Sequence, residues 1–403
     1  AAPILLAWRL ERAGVSLGQC EACPIIHRAA SYLMLHGPVT AQERWEENSG
    51  YSPSTLATII AGLVCAAEFC AQPEDQEFLL TYADWLAAHI EEWTVTTCGD
   101  LVPGFPTHYI RINPADPEPP DRHPDPNRTT ILVANGGGSH PARQIVGGDF
   151  LQLVRFGIRA ADDPIVLSSV EVIDRVLRRE LPQGPCWRRY NYDGYGQKAD
   201  GSAFDGEGIG RSWPILAGER GHYELAAGRD PMPYIVAMEK FANPGNMISE
   251  QLWDDDDLAD GRMKRGQPTG AAMPLCWSHA EYISLVRSRH EGVCFDRVEP
   301  AYQRYVAKPV PSRHEIWTIS HPLWHLPARK TLRVILASQA TIIWTADNWN
   351  TKNSVEMTHN ESFDLWFADV ATDKLPSGTV AEFTFFWPVD HRWENRNWQV
   401  AIT

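Results

Sequence analysis

Apolar residues recur at helical spacing through the first three quarters of the chain. Ile26, Ala29, Ala30 and Leu33 form one stripe, and Leu56, Ile59, Ile60, Leu63 and Ala67 another. Pro73-Glu74-Asp75 opens a third helix, with proline and acids in its first turn. Its predicted buried face is Leu79, Tyr82, Leu86, Ile90 and Trp93. Phe150, Leu153, Val154 and Gly157 mark a fourth segment, and Val166, Val170, Ile173 and Leu177 a fifth. A first helix is expected from about Pro3 to Ala13, with weaker ones near 220–228, 231–242 and 274–289. Long loops intervene at 99–147, rich in proline and ending near Gly136-Gly137-Gly138, and at 183–213, rich in Gly, Asp and aromatics. Loops of that length inside a compact domain usually carry function.

After about residue 306 the apolar period shortens to that of strands. β-rich runs occur at 331–337, 340–345, 362–367, 379–387 and 397–402, separated by turns such as Ala346-Asp347-Asn348 and Pro376-Ser377-Gly378. The chain is therefore read as mainly α: a helical toroid over 1–305, long loops crowded at one end, then a small all-β sandwich over 306–403.

Composition narrows the function. Among 403 residues, 36 are Lys or Arg and 51 are Asp or Glu, a formal net charge of −15. An acidic chain with no basic stripe is poorly suited to a phosphate backbone or an anionic membrane, so nucleic acid is set aside. No window holds 18 uninterrupted apolar residues, so no membrane span is read. The first helix opens without a charged leader or cleavage site, so the chain starts abruptly inside structured sequence. Eight cysteines spread over this length do not suggest a disulfide scaffold; Cys20-Glu21-Ala22-Cys23 is a lone C-x-x-C without a second pair. The 16 tryptophans often sit beside polar residues, and several near acids fit carbohydrate stacking, where sugar C–H faces lie on indole.

The stretch Trp45-Glu46-Glu47, followed by Asn48-Ser49-Gly50-Tyr51-Ser52-Pro53, places adjacent carboxylates beside an aromatic on a loop between helices. Inverting glycoside hydrolysis needs two carboxyl groups roughly 6.5–9.5 Å apart, one protonated as general acid and one ionised to activate water. A second acid on another loop is supplied by Glu250, in the segment "NMISEQLWD". A third loop, 187–214, adds aromatics, Arg211 and several acids; Arg211 could meet sugar hydroxyls or simply fix the loop by an ion pair. Asp193, Asp200, Asp205 and Glu207 offer oxygens for calcium, although their spacing fits no known calcium loop and a solvated loop is the plainer reading. His314, His321 and His325 invite a metal assignment, but Pro322 interrupts them and packing or surface roles fit better.

These three loops, with "GERGHYELAAG" (218–228) and "PLCWSHAEYISL" (274–285), closely resemble the bacterial glucoamylase and glucodextranase group of glycoside hydrolase family 15. The resemblance implies an (α/α)6 barrel that cleaves α-glucosides from non-reducing ends with inversion, releasing β-D-glucose and requiring no cofactor. It implies Glu46 as general acid, Glu250 as general base, Glu47 and Arg211 as substrate contacts, and Trp45 and Trp213 as pocket walls. An α-glucan or oligosaccharide is the implied substrate, and a periplasmic or extracellular location is favoured over the cytoplasm. The family's Trp-Pro-Arg-Asp segment is missing, and fewer than twelve helices are legible. The expectation is a C-terminal portion of a longer enzyme, partnered by an N-terminal chain, with the β-domain outside the barrel. A glucosyltransferase on the same scaffold, or a non-catalytic carbohydrate-binding module, are the alternatives.

Overall fold

The computed structural model describes residues 1–15, 19–115 and 124–403, without side chains at 19–23. The side chains of Cys20 and Cys23 thus lie outside the described residues; Cys65, Cys70, Cys98, Cys186, Cys276 and Cys294 are free thiols.

Among the described residues, ten α-helices carry the first part: α1 (Ala2–Arg12), α2 (Gln19–His36), α3 (Pro53–Ala67), α4 (Pro73–Thr94), α5 (Leu151–Arg155), α6 (Pro164–Val176), α7 (Pro214–Ala226), α8 (Met232–Phe241), α9 (Cys276–Glu291) and the one-turn α10 (Glu299–Tyr302). Proline occupies the first turn of α3, α4, α6 and α7, where its missing N–H costs nothing. The Asp163 side chain accepts from the Ile165 and Val166 amides and caps α6. α3 is apolar almost all round and buried at every position but two, so it belongs at the centre. It packs on α1, α2, α4 and α5; α5 packs on α7, which packs on α8 and α9. Among the described residues these contacts form an arc, and the (α/α)6 barrel that the resemblance implies, expected to be incomplete in this chain, is not shown by it.

Two differences from the sequence pattern have physical causes. The fourth segment is a 3-10 turn, Gly148–Phe150, and a five-residue α5, because Gly157 leaves the helix at φ 82° against Tyr302. α7 starts at Pro214, six residues early, because its buried face is polar. Glu219 pairs with Arg44, Arg220 with Asp174 and Glu224, and His222 with Glu281. Paired buried charges interrupt the apolar period without interrupting the helix.

The last hundred residues form ten strands: β1 (His314–Trp317), β2 (His325–Leu326), β3 (Thr331–Leu336), β4 (Thr341–Thr345), β5 (Asn353–Glu356), β6 (Thr358–Asn360), β7 (Leu365–Val370), β8 (Val380–Trp387), β9 (Arg392–Trp393) and β10 (Trp398–Ile402). One sheet has the order β1-β3-β7-β6; the other is β2-β10-β8-β4-β5, with β9 on β8. Their alternate inward residues, Leu332, Val334 and Leu336 from one and Ile342, Phe383, Phe385 and Val400 from the other, share a core. A separate cluster unites the helices. His321 packs among Tyr51, Trp85 and Trp93, His314 leans toward Asp369, and His325 is exposed. The three histidines form no metal set.

The seam between helices and sheets is polar at its centre. Glu315 on β1 is buried and accepts from Trp85 Nε1 at 3.1 Å, His89 Nε2 at 3.1 Å and Lys330 Nζ at 2.5 Å. Phe78 meets Phe363 and Phe367 nearby, and Asp75 accepts from Asn360 and Ser362. Burial would lift the Glu315 carboxyl, but His89 and Lys330 outweigh it and hold it low. Burial would lower His89, yet Glu315 leaves it raised. The lowered carboxyl contributes stability that is lost as pH falls through its folded value. The raised imidazole contributes stability that is lost as pH rises through its own. Replacing Glu315 by Ala strands His89 and Lys330 and should cost about 3–5 kcal/mol in urea denaturation. The difference from the parent should be greatest between about pH 4.5 and 6.5, the ordinary values of the two groups. A flat pH dependence of that difference would remove the pair from the seam's energetics.

Candidate active site

Residues 40–50 form a loop closed at its neck by paired backbone bonds between Thr40 and Gly50. Inside it, Glu43 organises the turn. Its carboxylate accepts from the Trp45 amide at 2.6 Å, the Glu47 amide at 3.4 Å and Arg111 Nη2 at 2.6 Å. Trp45 is folded inward, Glu46 is exposed, and Glu47 is half-buried.

The two adjacent glutamates have opposite circumstances. Glu47 accepts from Arg111 Nη2 at 2.8 Å, Arg189 Nη2 at 3.0 Å, Asn135 Nδ2 at 3.3 Å and the Tyr190 hydroxyl. Such a carboxylate is fixed in place. The Glu46 side chain has no hydrogen bond or ion pair among the described residues, and its backbone sits at φ 60°. That left-handed conformation costs a non-glycine residue about 1–2 kcal/mol, and strain of this kind persists only where surroundings impose it.

Arg189 links the loops. Its Nε and Nη2 donate to the two oxygens of Asp193, each at 2.7 Å, while Nη2 also reaches Glu47. Its guanidinium lies 5.0 Å from the Trp45, Tyr190 and Tyr195 ring centres and 5.4 Å from that of Trp213. Burial would lower this guanidinium, but Asp193, Tyr190 and Glu47 hold it above its usual range. Trp45 and Trp213 meet edge to face at 5.3 Å, and Trp45 lies 5.6 Å from Trp277. The position of Trp213 follows from a three-stranded sheet in which Trp187 pairs Trp213 and Arg188 pairs Ser212.

Glu250 is buried and reaches this group through Tyr195. Burial and the nearby Glu250 charge raise the Tyr195 hydroxyl, and Tyr195 lies 6.3 Å from Trp213. The Glu250 amide donates to the Ala272 carbonyl at 2.8 Å, and Gln251 Nε2 donates to the Tyr195 carbonyl at 3.2 Å. The loops carrying Glu46 and Glu250 are therefore joined by a continuous path of rings: Trp45, Trp213 and Tyr195. Gly194 lets the 190s loop pack tightly on the turn at Asn135, since a Cβ there would lie 1.8 Å from the Asn135 carbonyl oxygen.

Arg211 was open in the sequence to two roles, a substrate contact or a loop-fixing ion pair, and its bonds in the structure are of the second kind. It is fully buried over Trp253 at 3.9 Å, and its donors go to Asp254, Asp255 and the carbonyls of Gln197 and Lys198. These bonds fix the loop, and Arg189 is likewise buried, its donors held by Asp193 and Glu47. Asp193 is likewise committed to Arg189, and Asp205 to Lys198 at 2.6 Å, while Asp200 accepts from the Ser202 amide. These acids and Glu207 do not gather: among the described residues no group of three or more His, Cys, Asp or Glu could hold a metal ion.

Glu43, Arg111, Arg189, Tyr190 and Tyr195 were missed in the sequence. Arg111 had a signal, an arginine between Ile110 and Ile112; so did Arg189, four residues before Asp193. On the inner side of the arc lies a cavity of about 650 Å³ lined by Glu43, Arg44, Glu219 and Trp277. Neither Glu46 nor Glu250 lines it. Deeper in, burial pushes the Asp149 carboxyl up to about 6, against the pull of Arg44.

The family Glycosyl hydrolases family 15 matches residues 4–287. A glucoamylase of Clostridium sp. (strain G0005) is 44% identical over 312 residues, covering 76% of this chain and 41% of its own length. A crystal structure of a bacterial glucoamylase complexed with acarbose is similar at a TM-score of 0.67 with 41% identity, covering 75% of this chain and 42% of that one. The chain spans about two fifths of the length of these relatives.

Strain at Glu46 and saturation at Glu47 have separable consequences. Glu46→Gly should raise stability by about 1 kcal/mol, because glycine adopts φ 60° freely. Glu47→Ala leaves Arg111 and Arg189 short of a partner and should cost about 3 kcal/mol. Thermal melts of both variants check this, and destabilisation by Glu46→Gly would mean that its backbone carries no strain.

Proposed function

The chain belongs to glycosyl hydrolases family 15, and from that membership we propose that it carries the catalytic loops of an exo-acting, inverting hydrolase. The enzyme releases β-D-glucose from the non-reducing ends of α-glucans joined by α-1,4 or α-1,6 bonds. Glu46 is the general acid and protonates the leaving oxygen. Glu250 is the general base and takes a proton from the attacking water.

The observation that carries this reading is the contrast between neighbouring carboxylates. An acid that must approach a glycosidic oxygen has to be unencumbered, and Glu46 is exposed with no side-chain partner among the described residues. A group that orients a sugar has to be rigid, and Glu47 is held by four donors. Glu250, buried beside the Tyr195 hydroxyl, is suited to holding a water between the two. Trp45, Trp213 and Arg189 form the wall against which the terminal ring packs; Arg211 supports the loop behind it.

The proposal includes completion of the ring. Leu6, Ile25 and Tyr32 on α1 and α2, and Trp277, Ile283 and Val286 on α9, are exposed apolar residues flanking the arc. The matched part spans only about two fifths of the relatives' length. Further helices from an N-terminal portion of the same enzyme would cover these faces, close an (α/α)6 barrel and complete the glucose pocket. In this arrangement residues 1–305 belong to the catalytic domain and 306–403 to an outer β-domain.

Glu250→Gln keeps the shape but removes the proton acceptor, so kcat on maltose or isomaltose should fall about 100-fold or more. Glu46→Gln should fall as far on those sugars yet retain much of its rate on α-glucosyl fluoride, whose leaving group needs no proton. NMR of the first-formed product should show the β anomer. Equal losses on both substrates for Glu46→Gln, or an α product, would overturn the assignment.

A further inference from the structure

The turn around Glu46 is tied together from one residue. The Glu43 carbonyl accepts from the Glu46 amide at 2.9 Å, and the Glu43 carboxylate accepts from the Trp45 amide at 2.6 Å and the Glu47 amide at 3.4 Å. The Glu43 amide in turn donates to the Asn48 carbonyl at 3.0 Å. Two peptide planes meet at the Glu46 Cα, one carrying the Glu46 amide and the other the Glu47 amide, and both are tied to Glu43. Those planes set the backbone angles of Glu46, and with them its left-handed φ of 60°. Such conformations persist in a residue other than glycine only where the surroundings over-determine them, and they gather at functional positions.

Glu43 is poorly placed to touch a substrate itself. It is 3% exposed, and its carboxylate has a third donor in Arg111 Nη2 at 2.6 Å. Arg111 is fully buried and anchors the turn from another loop, its Nη1 donating to Asn48 Oδ1 at 3.1 Å and its Nη2 to Glu47 at 2.8 Å.

The neighbours of Glu46 do not share its dependence on Glu43. The Glu47 side chain is held by Arg111, Arg189, Asn135 and Tyr190, and the Trp45 ring packs on Trp213 and Trp277. The Glu46 side chain has no partner among the described residues, so its backbone alone decides where its carboxyl points. A change at Glu43 therefore falls on Glu46 first.

We propose that Glu43 is a positioning residue for the reaction: it imposes the backbone conformation from which Glu46 presents its carboxyl to the leaving oxygen. The catalytic consequence rests on the reading of Glu46 as general acid; the shaping of the turn by Glu43 rests on the bonds alone. A proton donor works along one direction, and a displacement of about 1 Å can cost on the order of 100-fold in rate.

Glu43→Gln keeps the size of the side chain but replaces one acceptor oxygen by a donor. The kcat on maltose should fall about 10- to 100-fold with KM within about twofold of the parent, whereas the rate on α-glucosyl fluoride should fall less than about threefold. In a Glu46→Gln background the same substitution should add less than about a twofold loss on maltose, because no acid is left to misplace. Hydrogen exchange at the Trp45, Glu46 and Glu47 amides should quicken about tenfold or more, while that of α3 stays as in the parent. A folded Glu43→Gln protein with the parent's kcat on maltose, or with equal losses on maltose and the fluoride, overturns the proposal. If Glu43→Gln does not fold, Glu43→Asp decides by the same ratio of rates, since it keeps the charge beside Arg111 but stops a methylene short of the amides. Full turnover of maltose by Glu46→Gln would sink the reading of Glu46 as the acid, whereas unchanged exchange at the three amides would sink the role of Glu43 in the turn.

Discussion

Everything around the Glu46 turn depends on one row of alternating charges: Glu43, Arg111, Glu47, Arg189, Asp193. A buried carboxylate or guanidinium is costly alone and tolerable only when opposite charge lies within hydrogen-bond reach. Each member therefore fixes the next. Glu43 holds the turn by its own backbone amides, Arg111 binds Glu43 and Glu47 together, and Arg189 passes the constraint to the 190s loop. With every neighbour committed, Glu46 is the carboxylate of the turn that remains free, and it is free in a backbone conformation it would not choose. Immobility on one side of a peptide bond and availability on the other have a common origin.

The second organising contact lies at the seam. Glu315 draws two cations and an indole N–H to one buried carboxylate, and aromatic residues from both sides close around it. The sheets thereby brace α4, which packs on the central α3. α3 packs directly on the short α5, which packs on α7, the helix that Trp213 leads into. Support for the loops of the candidate site thus comes from packed elements that lie outside them.

How much of this was legible follows from what each signal requires. Helices with proline at the start and one apolar face, such as α4 and α6, could be read directly, as could β3, β4, β8 and β10, whose alternate residues face a core. Glu46 and Glu250 stood out because a carboxylate on a Gly-, Asn- or Pro-broken loop beside tryptophan is conspicuous. Arg211 and Arg189 could not be told apart, because both sit in one polar loop and only the third dimension decides which is enclosed by carbonyls and which faces the rings. The start of α7 was hidden for the same reason: Glu219, Arg220 and His222 look like surface residues until their partners arrive from other helices. Local pattern reveals elements; charge pairing between distant segments is not local.

That remoteness shapes how the enzyme comes into being. Glu47 is tied to residues 142 and 143 positions further along the chain, and Glu43 to one 68 positions on. Bonds spanning such intervals close only after the intervening helices have condensed, because long loops lose more entropy on closure and slow the search. A growing polypeptide that has emerged only as far as α6 can hold helices but not this turn in its final shape. Shaping of this turn is consequently later than formation of the helices that flank it.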